Sequence, residues 1–210
     1  MILPFPVRSD WARLRRGGAL MTLTTTTAMQ PTQNNEPVLP RSMTIEEWMT
    51  LDVERRVELV QGVPVMSPFE SAGNISAAMR LFSMIDAQGL PCYPQLGIRW
   101  GTSRRATVRF PDVVVVRGRV DPDEFAVAPR EVLLAVEVVS PSSTERDWLT
   151  KRDEYAAQGI PAYLVIDRRA GLLALFDQIV DGRYVDVEQT ESVILRIGEH
   201  TTPLQAADLL

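Results

Sequence analysis

Asp112 stands in the stretch "ATVRFPDVVVV", directly after a proline and directly before four valines that belong inside a sheet. A lone carboxylate there is costly unless it is solvated, paired or bound to a cation. Glu137 raises the same question in "VLLAVEVV", where valines flank it on both sides. The two acids are 25 residues apart, on segments expected to be neighbours in one sheet. Two carboxylates aimed at one point repel each other unless positive charge lies between them. A hard divalent cation meets that need: Mg²⁺, or Mn²⁺ in its place, takes oxygen ligands, keeps several waters and is commonly held by carboxylates and a substrate phosphate. Lys151 is the candidate positive partner within the chain. On a helix Asp147, Lys151 and Tyr155 recur at i, i+4 and i+8 and share a face. A lysine placed there can orient a cation-bound water or stabilise charge building on a phosphate. Singly, each residue has a plainer role: a turn after Pro111 for Asp112, an internal salt bridge for Glu137, a surface pair for Asp147 and Lys151. Taken together, those plainer roles lose ground.

The rest of the composition narrows the chemistry. Among 210 residues there is one cysteine, Cys92, and one histidine, His200. An internal disulfide and a cysteine-built zinc site are thereby excluded, and a reducing, cytoplasmic setting fits. His200 reads as a solvated loop residue near the C-terminus, which leaves catalysis to carboxylates, Lys, Arg or Tyr. No apolar run is long enough to cross a bilayer, so no membrane association is expected. The net charge of −5 gives no general attraction for nucleic acid, but its distribution is uneven. Between Gly97 and Arg119 stand Arg99, Arg104, Arg105, Arg109, Arg117 and Arg119, with Asp112 as the only acid. This stripe reads either as a solvated, Arg-rich hairpin or as a phosphate-contacting surface.

Several elements must position these groups. Residues 1–42, rich in Thr, Gln, Asn and Pro, read as a flexible leader, and 43–210 as one domain. "MTIEEWMTLD" predicts a short helix capped by Ser42 or Thr44, "VELVQGVPVMSP" a tight hairpin at Gln61-Gly62, and "GNISAAMRLFSMIDAQG" a helix ending at Gly89. Strands are expected over Tyr93–Trp100, Thr107–Val116 and Glu131–Ser140. "SSTERDWLTKRDEYAAQGI" reads as a helix capped by Ser143 or Thr144, and "PAYLVID" as a buried strand parallel to the one bearing Glu137, joined by a right-handed βαβ crossover. A hairpin and one further strand close the chain. The fold class is α/β with a mixed sheet.

"FPDVVVV" and "LLAVEVVSPSSTERDWLTKRDEYAAQGIPAYLVID", with "MTIEEWMTLD" and "VELVQGVPVMSP" before them, resemble the Uma-two family, a branch of the PD-(D/E)XK nuclease superfamily. The resemblance covers roughly residues 43–210 and implies a restriction-endonuclease-like mixed sheet with flanking helices. It further implies a metal pair at Asp112 and Glu137 and Mg²⁺-dependent phosphodiester hydrolysis. Two residues after Glu137, where the superfamily has its lysine, stands Val139, and Lys151 of the following helix matches the family's replacement. Glu58 falls at an acidic family position that could complete the metal shell. Where family members often carry a histidine, Asn74 is the nearest equivalent.

The leading expectation is a metal-dependent DNA endonuclease. Asp112, Glu137 and Lys151 are its catalytic residues, Tyr155 and Asp147 support them, and Arg104, Arg105 and Arg109 contact backbone phosphates. The alternative is a catalytically degenerate nuclease fold that binds nucleic acid or associates with itself. Acidic net charge and the missing histidine favour that alternative, while the carboxylate pair and Lys151 oppose it. A hydrolase of another phosphate ester is a third, weaker reading. An exposed Trp148 and the C-terminal hairpin hint at a homodimer.

Overall fold

A computed structural model describes residues 39–51, 56–67, 69–140 and 146–210, apart from the side chains of Arg146 and Asp147. Most of the expected leader, the proposed caps Ser143 and Thr144, and the side chain of Asp147 therefore lie outside the described residues. No helix among those described is long and apolar enough to cross a membrane.

The first element among the described residues is α1 (Ile45–Met49), held by a reciprocal capping box: Thr44 Oγ1 accepts from the Glu47 amide, and the Glu47 carboxylate accepts from the Thr44 amide. Strands β1 (Val57–Val60) and β2 (Val63–Met66) form the expected hairpin. Its turn places Gln61 and Gly62 at positive φ, the combination that suits the twist of a two-residue loop. Then come α2 (Ala72–Asp86), β3 (Cys92–Pro94), β4 (Gly97–Trp100), β5 (Thr107–Arg109), β6 (Val113–Val116), β7 (Ala126–Val127) and β8 (Val132–Val138). A π-helical turn, Arg146–Lys151, leads into α3 (Arg152–Ala157). The chain finishes with β9 (Ala162–Asp167), β10 (Leu172–Val180), β11 (Arg183–Thr190), β12 (Ser192–Ile197), β13 (His200–Gln205) and α4 (Ala206–Leu209).

The strands make a six-stranded sheet ordered β11-β10-β9-β8-β6-β3, a five-stranded sheet ordered β2-β1-β5-β4-β7, and the β12-β13 hairpin. One face of the larger sheet packs on α2, α4 and β12-β13 through Leu81, Ile85, Val136 and Leu195. The other packs on α3 and on the smaller sheet through Tyr155, Tyr163, Ile98 and Val114. As expected, β8 and β9 are parallel neighbours. Four expectations need correction. Each of the strands expected over 93–100 and 107–116 is divided between the two sheets, because a single antiparallel ribbon bends where they cross. Its register is unbroken: Tyr93 opposes Val114 and Ile98 opposes Arg109, so Gln95 opposes Asp112 at the corner. His200 is solvated but begins a strand rather than lying in a loop. Trp148 is half-buried against Phe176, with ring centroids 6.2 Å apart, so it is not a free hydrophobic surface. The last strand expected becomes a hairpin of its own, β12-β13.

Candidate functional site

Asp112 sits where the ribbon turns its corner. Pro111, lacking an N–H and fixed in φ, ends β5's sheet, and Gln95 opposite adopts a left-handed φ of 55° while its amide donates to the Asp112 carbonyl at 3.2 Å. The Asp112 amide still joins the larger sheet, donating to the Val136 carbonyl at 2.9 Å. Beyond that point β6 no longer runs beside β8, and the Asp112 carboxylate takes over, accepting from the Val138 amide at 2.7 Å. Glu137 lies between these two contacts. Strand alternation turns it to the same face as Ala135 and Val139, toward α3 and Tyr155.

From that face the helix answers. Lys151 Nζ stands 2.6 Å from Glu137 Oε1 and 3.8 Å from Glu58 Oε1, and the Tyr155 hydroxyl is 3.4 Å from Glu137 Oε1. Lys151, Tyr155, Glu137, Glu58 and Asp112 are all buried. Burial, reinforced by the Glu137 carboxylate, raises the Tyr155 hydroxyl well above its usual pKa, so it remains a proton donor. The turn leading into Lys151 is π-helical rather than α-helical, which departs from the even four-residue spacing expected from Asp147 onward; Lys151 and Tyr155 share the Glu137 carboxylate.

Arg109 departs from its expected role. Arg109 is buried in an ion network and is no surface contact for phosphate: Nη1 reaches Glu58 Oε2 at 2.8 Å, while Nε and Nη2 clasp both oxygens of Glu154 at 2.8 Å. Glu58 uses Oε2 for Arg109 and Oε1 for the Phe110 amide at 3.2 Å, with Lys151 3.8 Å from Oε1, so both of its oxygens have partners within the chain. Among the described residues no group of three His, Cys, Asp or Glu is arranged to hold a metal ion. The donor set of Asp112 and Glu137, oxygen only and limited to two carboxylates, suits a hydrated Mg²⁺ or Mn²⁺ that takes its other ligands from water and substrate. Arg104 and Arg105 are exposed on a turn before β5, at the end of that strand away from Asp112.

Sequence reasoning missed Glu154, Glu70, Arg56 and Arg168. Burial pushes the Asp112 carboxyl up to about 6, the Val138 amide opposes that rise, nearby Glu70 adds to it, and Lys151 and Arg56 restrain it. Arg56 also lines a cavity of about 350 Å³ together with Trp48, Phe110 and Phe125, beside the corner.

Residues 45–207 match the profile of the Uma2 family, described as "Putative restriction endonuclease". The chain belongs to the Uma2 family. Among solved structures this Uma2 chain is similar to "a putative nuclease belonging to DUF820 from Anabaena variabilis ATCC 29413", with 15% identity and a TM-score of 0.60 over 80% of this chain and 97% of that one. That likeness is one of fold, the restriction-endonuclease-like mixed α/β arrangement. No curated protein matches the chain.

Proposed function

We propose that this Uma2 protein is a nuclease that hydrolyses phosphodiester bonds of DNA with Mg²⁺, or Mn²⁺, held by Asp112 and Glu137. What supports the reading is a buried Asp112 set by the β6–β8 register opposite a buried Glu137, with the buried Lys151 2.6 Å from Glu137 and its charge acting on Asp112. A bound divalent ion supplies an acidified water and offsets charge on the phosphate. Lys151, fixed by Glu137 and Glu58, provides the ammonium that stabilises an attacked phosphoryl oxygen. Tyr155 keeps the Glu137 carboxylate oriented. Arg56 near the corner, and Arg104 and Arg105 farther along the ribbon, are the arginines available to backbone phosphates, and such contacts carry no base preference.

The test incubates the full chain with supercoiled and linear DNA in Mg²⁺ or Mn²⁺, beside Asp112→Asn and Glu137→Gln variants whose fold is checked by circular dichroism. Support is cleavage that stops with a chelator and falls at least about 100-fold in both variants. Equal cleavage by wild type and variants would overturn the reading. DNA binding retained by both variants without cleavage by any form would favour the alternative, a degenerate nuclease fold that binds nucleic acid.

A further inference from the structure

On the face of β8 opposite Lys151, α2 begins against the strand end that carries the site. Ser71 caps the helix, its Oγ accepting from the Asn74 amide at 3.2 Å. The buried Asn74 side chain then reaches three ways with one nitrogen: Nδ2 is 2.9 Å from Glu70 Oε2, 3.4 Å from the Val138 carbonyl and 3.5 Å from the Val139 carbonyl. Its oxygen accepts from Arg168 Nη1 at 3.0 Å. Arg168 directly follows β9, the strand parallel to β8, and its Nε is buried without a hydrogen-bond partner.

Gly73 explains how the guanidinium fits. A Cβ built on that residue would lie 2.2 Å from Arg168 Nη2 and 2.4 Å from Cζ, so only a glycine lets the arginine lie against the helix. Within a helix glycine is otherwise a poorer choice than alanine. The chain therefore gives up helix propensity at a position where the space is occupied by Arg168.

An asparagine amide has a donating and an accepting end, and nothing in its shape distinguishes them. Beside the Val138 and Val139 carbonyls only the donating end is favourable. Arg168, which can only donate, takes the oxygen and so commits the nitrogen to β8. Val138 is also the residue whose amide Asp112 grips, and Glu137 directly precedes it. We propose that Arg168 is a positioning residue, made possible by Gly73, which locks the Asn74 amide so that it pins the β8 backbone on which Asp112 and Glu137 meet. The inference rests on the reading of those two acids as a cation site, which it deepens.

The experiment compares Gly73→Ala, Arg168→Met and Arg168→Lys with wild type in the full chain. It uses calorimetric titration with Mn²⁺, amide hydrogen exchange at Val138 and Val139, and thermal melting. Gly73→Ala displaces only the flexible end of Arg168, so its melting temperature should hold or rise. Its Mn²⁺ affinity should nevertheless fall about tenfold, the scale on which outer-shell partners act. Exchange at the two valine amides should quicken. Arg168→Met should behave alike, and Arg168→Lys, which keeps a donor, should recover part of the affinity. Wild-type Mn²⁺ affinity and wild-type exchange in both Gly73→Ala and Arg168→Met would overturn the proposal. If wild type binds no Mn²⁺ and cleaves nothing, the nuclease reading fails by itself, and the exchange rates alone still decide whether Arg168 pins this strand.

Discussion

Glu58 and Asp112 are both buried acids at the edge of the same cluster, yet their surroundings push them in opposite directions. Burial would raise Glu58, but Lys151, Arg109 and the bonds from the Arg109 side chain and Phe110 amide outweigh it and hold the carboxylate below its usual range. Asp112 receives one backbone amide and more distant cations, and burial wins, leaving it at about 6. The difference separates a structural acid from a poised one. Glu58 has its compensation within the protein, whereas Asp112 carries a desolvation cost that a bound cation would relieve.

The contrast is sharpest when each acid is removed. Glu58→Ala leaves Arg109 buried with half its partners and Lys151 with one fewer, so urea unfolding should show a loss of about 3–5 kcal/mol. Asp112→Asn should do the reverse in the presence of a chelator. The unfolded aspartate ionises near 3.9, the folded one only at about 6, so the folded state holds the extra proton between those values and stability falls as pH rises through them. The asparagine variant, spared that cost, should be more stable than wild type by roughly 2–3 kcal/mol above pH 6, with the gap closing below about pH 4. Adding Mg²⁺ should stabilise wild type and leave the variant unmoved, and a variant that gains equally would break the comparison. Tyr155→Phe, which removes one long contact to Glu137, should cost about 1 kcal/mol or less in the same unfolding assay. The smallest effect belongs to the ribbon tip: Arg104→Gln or Arg105→Gln should each lower the slope of log DNA affinity against log salt by about 1.

Much of this site could be read from the chain itself. Two apolar runs read as adjacent strands were enough to set Asp112 beside Glu137, where the β6–β8 register has them, and the four-residue step from Lys151 to Tyr155 put both on Glu137. The burial of Arg109 could not be read that way, since its partner Glu154 lies 45 residues away on a helix whose packing no local pattern specifies. Arg168 was hidden for the same reason, being 94 residues from Asn74. A signal for it did exist in Gly73, a glycine near a helix start with no turn to justify it. The π-helical turn escaped because the α and π patterns differ by a single residue in hydrogen-bond span. The division of two strands between sheets escaped because the ribbon keeps its register through the bend.

That continuous register makes the ribbon a ruler. Thr107 to Arg109 pair residue for residue with β4, and the same register resumes at Val113 beyond the bend, so the spacing from the Arg104-Arg105 turn to Asp112 is set by counting residues. Deleting or inserting one residue between Ala106 and Phe110 would turn the Asp112 carboxylate to the opposite side of its strand. The length of this short segment is therefore constrained alongside the identity of its buried Arg109.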